Sequence, residues 1–305
     1  MSDTVPRILL PLDGSRLAEA AIPAATELAL GWGAEILLLH LLERRAPETI
    51  HGEPHLGEPR QARSYLTRVA SGLRDAGIPV ETLVPETEEA DLAQGLARQA
   101  EELRADLLVL CAHGSGGMRD FLLGTIAQQT LKRCVRPVLL VRPPVPETGW
   151  RLGEGPWIVA VEPSEHGPAA IPLVTVLCKA LGAPVHLVTV IPTQRTLPVD
   201  QWAAGTLAPR TVSWVLDLEQ RDALHYLETL ADDLKRAGVD AGVSLSRGEA
   251  VAEVLRILGE KSGAVLVVAT HMKAGIAGVL SGSFSVGAAA GTASPILFVP
   301  AESPE

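Results

Sequence analysis

Runs of consecutive apolar residues punctuate the first half of the chain at 7–12, 35–41, 78–84, 106–111 and 137–142. Between them, apolar positions fall at helical spacing over 16–31, 61–76, 88–103 and 125–135. The second half repeats the strand-like runs near 157–161, 184–191, 240–246, 264–269 and 295–299. Strands that are apolar at successive positions, and not at alternate ones, are buried on both faces. Strands alternating with helices predict a parallel sheet, wound through right-handed crossovers and covered by helices on both sides. Sheets of this kind bind ligands at the carboxyl ends of their strands, where the strand order reverses. In the first half that edge collects PLDGS at 11–15, LHLLE at 39–43 and the stretch CAHGSGGMRDFLLGT at 111–125.

The repetition is also one of residues. At a shift of 149, AAIP at 20–23 falls on AAIP at 169–172, Ser15 on Ser164 and Gly33-Ala34 on Gly182-Ala183. At a shift of 158, His113, Gly117, Gly124 and Pro137 fall on His271, Gly275, Gly282 and Pro295. Between these blocks, Tyr65 and Ala76 meet Tyr226 and Ala237 at a shift of 161. The matches are collinear and far longer than a solenoid repeat, so each copy is expected to be a whole domain. The expected domains are 1–145 and 154–305, joined by the Pro- and Gly-rich segment 143–156.

Composition narrows the functional classes. The 305 residues are 47% hydrophobic but only 3% aromatic, which suits layered α/β packing with Ala, Leu and Val. A net charge of −10 argues against a sequence-independent grip on nucleic-acid phosphates. Cys111, Cys134 and Cys178 have neither paired metal spacing nor a disulfide framework, as expected of a reducing cytoplasm. The N-terminus MSDTVPRILLPLD has no signal-peptide pattern. Residues 274–301 carry no charge, but their five Gly, four Ser and late Pro295 argue against a membrane span.

The glycine-rich stretch 111–125 leaves an apolar strand and enters a helix on Gly124-Thr125. A helix start offers unpaired N–H groups and the positive end of the helix dipole, which suits an anion. Glycine lets the backbone approach closely, and Thr125 adds a hydroxyl while capping the helix. A plain βα turn with a threonine cap would read the same way.

Together with Asp13 and the duplication, these residues make the chain resemble a tandem universal stress protein over nearly its full length. Members of that family carry an Asp after the first strand and a loop G-x2-G-x9-G-(S/T) after the fourth. Here Asp13 stands at the acidic position and Gly114, Gly124 and Thr125 at three loop positions, with Cys111 in place of the first glycine. The resemblance implies two Rossmann-like, doubly wound α/β domains, each with a five-stranded parallel sheet, related by a pseudo-twofold axis on which 137–142 faces 295–299. It also implies a nucleotide site made of Pro11, Asp13, Leu41, Cys111, Gly114, Gly124 and Thr125. Asp13 and the backbone near Leu41 would meet adenine, and the loop would meet ribose and phosphates. The implied cofactor is ATP, with or without Mg²⁺, and the implied role is nucleotide-dependent regulation of a protein partner. No catalytic base, second carboxylate or metal cage is legible, so binding is favoured over catalysis. A scaffold with a decayed site and a slow ATPase are the alternatives.

The second copy departs further, with Glu162 for the Asp and Ala269 and Met272 for the early glycines; Gly282-Ser283 remains. It is expected to be the weaker or silent site, although SGSFS at 281–285 could hold a small anion. SGGMRD at 115–120 resembles a pyrophosphatase loop, but its acid comes one position late and after the wrong strand. His51 and His55, in HGEPH, suggest a solvated loop, and Cys111 and Cys178 buried small residues. The uncharged helix at 283–294 should be covered all round, by the loop at 192–216 with Trp202 and Trp214 or by a second chain. A homo-oligomer is therefore expected, with neither nucleic acid nor membrane as a partner.

Overall fold

The structure, a computed structural model, describes residues 4–43, 49–50, 53–87, 91–111, 125–143, 151–163, 167–193, 209–270 and 284–301. In the first half, the sheet strands are β1 (Arg7–Pro11), β2 (Glu35–Leu39), β6 (Val80–Leu83), β8 (Leu107–Cys111) and β9 (Val138–Val141). Two-residue strands lie between them: β3 (Leu42–Glu43), β4 (Thr49–Ile50), β5 (Glu53–Pro54) and β7 (Glu86–Thr87). The helices are α1 (Arg16–Glu19), α2 (Ile22–Trp32), α3 (Pro59–Asp75), α4 (Leu92–Glu102) and α5 (Thr125–Arg133). The second half supplies β10 (Trp157–Ala160), β11 (Val185–Ile191), β12 (Ala241–Arg247), β13 (Val265–Thr270) and β14 (Ile296–Pro300). Its helices are α6 (Ile171–Leu181), α7 (Pro209–Arg236), α8 (Ala250–Gly259) and α9 (Phe284–Gly291).

The halves share one ten-stranded sheet in the order β12-β11-β10-β13-β14-β9-β8-β1-β2-β6. Within each half every pairing of this sheet is parallel, as continuous apolar strands require. The halves meet where β14 runs antiparallel to β9, with Phe298 opposite Val138, Leu297 opposite Leu139 and Ile296 opposite Leu140. At the shift of 158, Leu139 and Leu297 are each other's counterparts, so the pseudo-twofold axis passes between them. This pairing removes the two inner sheet edges that each half would otherwise expose.

Alternate strand residues feed two layers. Ile8, Leu10, Ile36 and Leu38 pack with α2 and α3, in one core that continues through α6 and α7. Leu9, Leu37 and Leu39 point the other way, into a core shared with α4, α5, α8 and α9. Ile8, Leu9, Leu10, Leu37 and Leu38 are all fully buried, each worth about 1.5–3 kcal/mol in transfer free energy.

A second contact crosses the axis at α2 and α6. Gly31, itself the counterpart of Ala180, lies so near that a Cβ added to it would stand 2.9 Å from the Ala180 carbonyl oxygen. The Glu27 carboxylate accepts hydrogen bonds from the N–H groups of Leu152 and Gly153, tying the inter-domain segment to the first half.

The continuous helix expected over 16–31 is broken into α1 and α2. Pro23 has no N–H and its ring collides with the carbonyl four residues back, at Glu19, where α1 ends. The two-residue strands are too short to register as hydrophobic runs. The cover expected for the uncharged helix is also revised. Val251 and Leu255 of α8 pack on Gly287 and Gly291, Ala288 and Ala289 are fully buried, and Ala290 is exposed. α9 therefore has one outer face of small residues. Helix α7, whose first residues belong to the expected covering segment, packs on β11 and β12; residues 194–208 of that segment, with Trp202, lie outside the described residues. No described helix is long and apolar enough to cross a membrane.

Candidate functional site

The strand order reverses between β1 and β8 in the first half and between β10 and β13 in the second. At the first reversal lies a cavity of about 300 Å³, at the small end of the range for small-molecule sites. Pro11, Asp13, Leu41, Cys111 and Thr125 all line it. The structure thus brings together residues from the ends of β1, β2 and β8 and the start of α5. Gly114 and Gly124 lie outside the described residues, as do His113, Arg119 and Asp120.

Asp13 is half-buried, and its Oδ1 accepts hydrogen bonds from the Ser15 N–H at 2.9 Å and the Ser15 hydroxyl at 2.6 Å. Ser15 in turn caps α1 by accepting from the Ala18 N–H. The turn between them needs Gly14, whose φ of +92° is strained for a side-chain-bearing residue. A Cβ there would also stand 2.7 Å from Cδ1 of Leu56.

Across the cavity, Leu92 and Leu96 of α4 and Ile126 and Ala127 of α5 face Leu39 and Leu110. The lining is mostly apolar, with Asp13, His40, Glu43, His55 and Thr125 as its polar groups, the usual make-up of a small-molecule site. Thr125 is the first described residue of α5 and stands at the cavity wall. Cys111 is half-buried beside Asp13. Burial pushes its thiol up to about 12, and the Asp13 carboxylate pushes in the same direction. It is therefore an uncharged, small wall group at neutral pH. Cys178 is fully buried, and burial raises its thiol as well.

Two histidines that pattern reading did not assign to the site also line the cavity. His40 is buried, and its ring lies 6.0 Å from that of His55 in an edge-on arrangement. The His55 side chain is only 3% exposed and stands 4.0 Å from the Glu43 carboxylate, which corrects the expectation of a solvated loop. The one signal for His40 was its place in LHLLE, at the end of a strand. His51 lies outside the described residues.

The second reversal point is built differently. Glu162 is exposed where Asp13 is half-buried. Gly167, the counterpart of Ala18 at the shift of 149, sits so tightly on the strand exit that a Cβ would fall 1.8 Å from the Glu162 carbonyl oxygen. Ala18 lines the first-half cavity. Ala269 replaces Cys111 at the end of β13; Met272, Gly282 and Ser283 lie outside the described residues. Among the described residues, no three His, Cys, Asp or Glu side chains form a group that could hold a metal ion.

Residues 4–142 and 157–300 each match the model of the universal stress protein family. A universal stress protein of Thermus aquaticus is 34% identical over 145 residues, spanning 44% of this chain and 97% of that protein. Among solved structures, the functionally unknown protein PA1789 of Pseudomonas aeruginosa PAO1 superposes with a TM-score of 0.71 at 16% identity, covering 97% of this chain and 93% of the other. A universal stress protein of Archaeoglobus fulgidus gives 0.69 at 15%, covering 97% and 98%. At those identities the structural likeness is one of fold, and it extends over both halves.

Proposed function

The chain belongs to the universal stress protein family, and we propose that its first half binds an adenine nucleotide, ATP, as a regulatory ligand. The observation that carries this reading is the single cavity at the strand-order reversal lined by Pro11, Asp13, Leu41, Cys111 and Thr125. In this reading adenine occupies the apolar slot between Leu41, Leu92 and Ala127, with Asp13 and the backbone near Leu41 at its polar edges. The phosphates extend toward Thr125 at the near end of α5, where a helix N-terminus favours negative charge. Gly114 and Gly124 belong to the same set by their places in the sequence motif. Any Mg²⁺ enters with the phosphates, which supply its hard oxygen ligands.

The second half is the silent partner: its reversal point carries an exposed glutamate and a backbone too close for the alanine found in the first. The units are 1–145 and 154–305, and the nucleotide controls a protein contact instead of being consumed. The chain works in the cytoplasm, in keeping with free cysteines throughout. Chains associate through the small-residue outer face of α9.

Mass spectrometry of ligand released from freshly purified, denatured protein, together with calorimetry, tests this. One ATP per chain with no phosphate released is the expected result. Absence of any nucleotide binding would leave only the scaffold reading, and steady phosphate release would make the protein a slow ATPase.

A further inference from the structure

His40 follows β2 at the cavity wall and is 1% exposed. Its Nδ1 lies 2.8 Å from the carbonyl oxygen of Leu12, and its Nε2 lies 3.0 Å from that of Leu56. Both partners can only accept. A neutral imidazole has one N–H, so one of these contacts would set a nitrogen lone pair against a carbonyl lone pair; an imidazolium donates to both.

What the ring joins gives the arrangement its meaning. Leu12 immediately precedes Asp13, and Leu56 belongs to the segment 53–56 that closes over the same turn. The Leu56 side chain rests on Gly14. The Glu53 carboxylate accepts a hydrogen bond from the Arg16 N–H at 3.2 Å. His40 is thus the buried pin between the turn that sets Asp13 and the segment that roofs it. Removing one proton leaves a single bond where there were two.

Resting on the nucleotide reading, we propose that His40 is a positioning residue that acts as a doubly protonated clasp, so that nucleotide affinity at the first-half site depends on pH. Affinity is high while the ring carries both protons and falls as pH rises and the second proton leaves. Two carboxylates and a second histidine are, with the Cys111 thiol, the charged and titratable groups on the same wall. Asp13 at the β1 exit and Glu43 of β3 share the cavity wall with His40. His55 lines the same wall.

The test compares the full chain with its His40→Asn variant, whose amide can still donate to Leu12 at the Nδ1 position but has no proton to lose. ATP affinity is measured by calorimetry between about pH 5 and 8, the histidine range. The ligand's own phosphate titration is common to both proteins. The wild-type advantage over the variant should shrink by about tenfold across that range, the size of one charge-assisted hydrogen bond. In parallel, ring ¹⁵N spectra of the wild type should show both His40 nitrogens protonated where affinity is high, and one where it is low. Identical pH profiles for the two proteins would overturn the coupling. A neutral ring throughout would overturn the clasp itself, even if the variant failed to fold. If neither protein bound ATP at any pH, the nucleotide reading and the coupling would fall together, and the ring spectra alone would decide the clasp.

Discussion

The two halves share strand order, helix order and even the left-handed capping glycines Gly33 and Gly182, with φ of 69° and 68°. They differ at the reversal point. In the first, Asp13 is half-buried and bonded to Ser15, and the chain then stands away from the strand ends far enough to leave a cavity. In the second, the acid is exposed and the following segment sits on its backbone. One architecture thus carries both an open and a closed version of the same corner. Strand pairing and core packing do not require the corner to be open, so it can be lost in one copy without loss of the fold.

The comparison is broken most sharply at the loop glycines. Gly124→Val should abolish measurable ATP binding in calorimetry, by setting branched bulk where phosphates are proposed to lie, while Gly282→Val should leave it unchanged. Equal losses would make the halves equivalent sites. Next in size, Asp13→Ala should weaken ATP by about tenfold or more, since it removes a proposed ligand contact and releases Ser15. Glu162→Ala should shift the same titration little.

The closed corner can be probed through stability alone. Gly167→Ala should cost about 1–3 kcal/mol in chemical denaturation, because the added methyl has a backbone oxygen in its way and the segment must shift. Ala18→Gly, its mirror in the open half, should cost about 1 kcal/mol or less. A harmless Gly167→Ala would mean that the second corner is not closed.

A smaller effect distinguishes Cys111 from Ala269. Burial raises the folded-state value of Cys111 to about 12, above the roughly 8.5 of an unfolded thiol. The folded chain therefore binds more protons than the unfolded one above about pH 8.5, and stability falls as pH rises from there toward 12. Cys134 and Cys178, also raised by burial, share the effect. Cys111→Ala should soften the alkaline loss by up to about 1.4 kcal/mol per pH unit, measured by denaturation at successive pH values. Below about pH 8 the difference between the proteins should not vary with pH.

The smallest expected effect on folding concerns the faces of α9. Ala290→Glu, at an exposed position, should change stability by no more than about 0.5 kcal/mol and lower the assembly mass in light scattering. An unchanged mass would place any interface elsewhere. Ala289 is unsuitable for this test because it is fully buried within the chain.

Much of this was legible beforehand, for local reasons. Continuous apolar runs such as Leu107–Cys111 identify buried parallel strands, because only strands covered on both faces are apolar at every position. Asp13, Cys111 and Thr125 were found by spacing, since strand ends and helix starts recur at fixed places along the chain. His55 was not, because a histidine in HGEPH reads as solvated until the packing around it is known. The short strands were missed because two residues carry no periodicity, and the break at Glu19 was missed although Pro23 announced it.

By itself, then, the sequence determined the duplication, the fold class and which residues stand at strand ends, because these follow from backbone periodicity and from the collinear matches between halves. The family resemblance set β9 facing β14, but only the tertiary structure decided their hydrogen-bonded register in one sheet, with Leu139 set against Leu297. Only it decided that Ala18 lines a cavity where Gly167 closes one, and that His40 reaches two carbonyls 44 residues apart in sequence, those of Leu12 and Leu56. Pairing partners, closeness of approach and burial depend on which distant segments share the space, and no local pattern of residues encodes that.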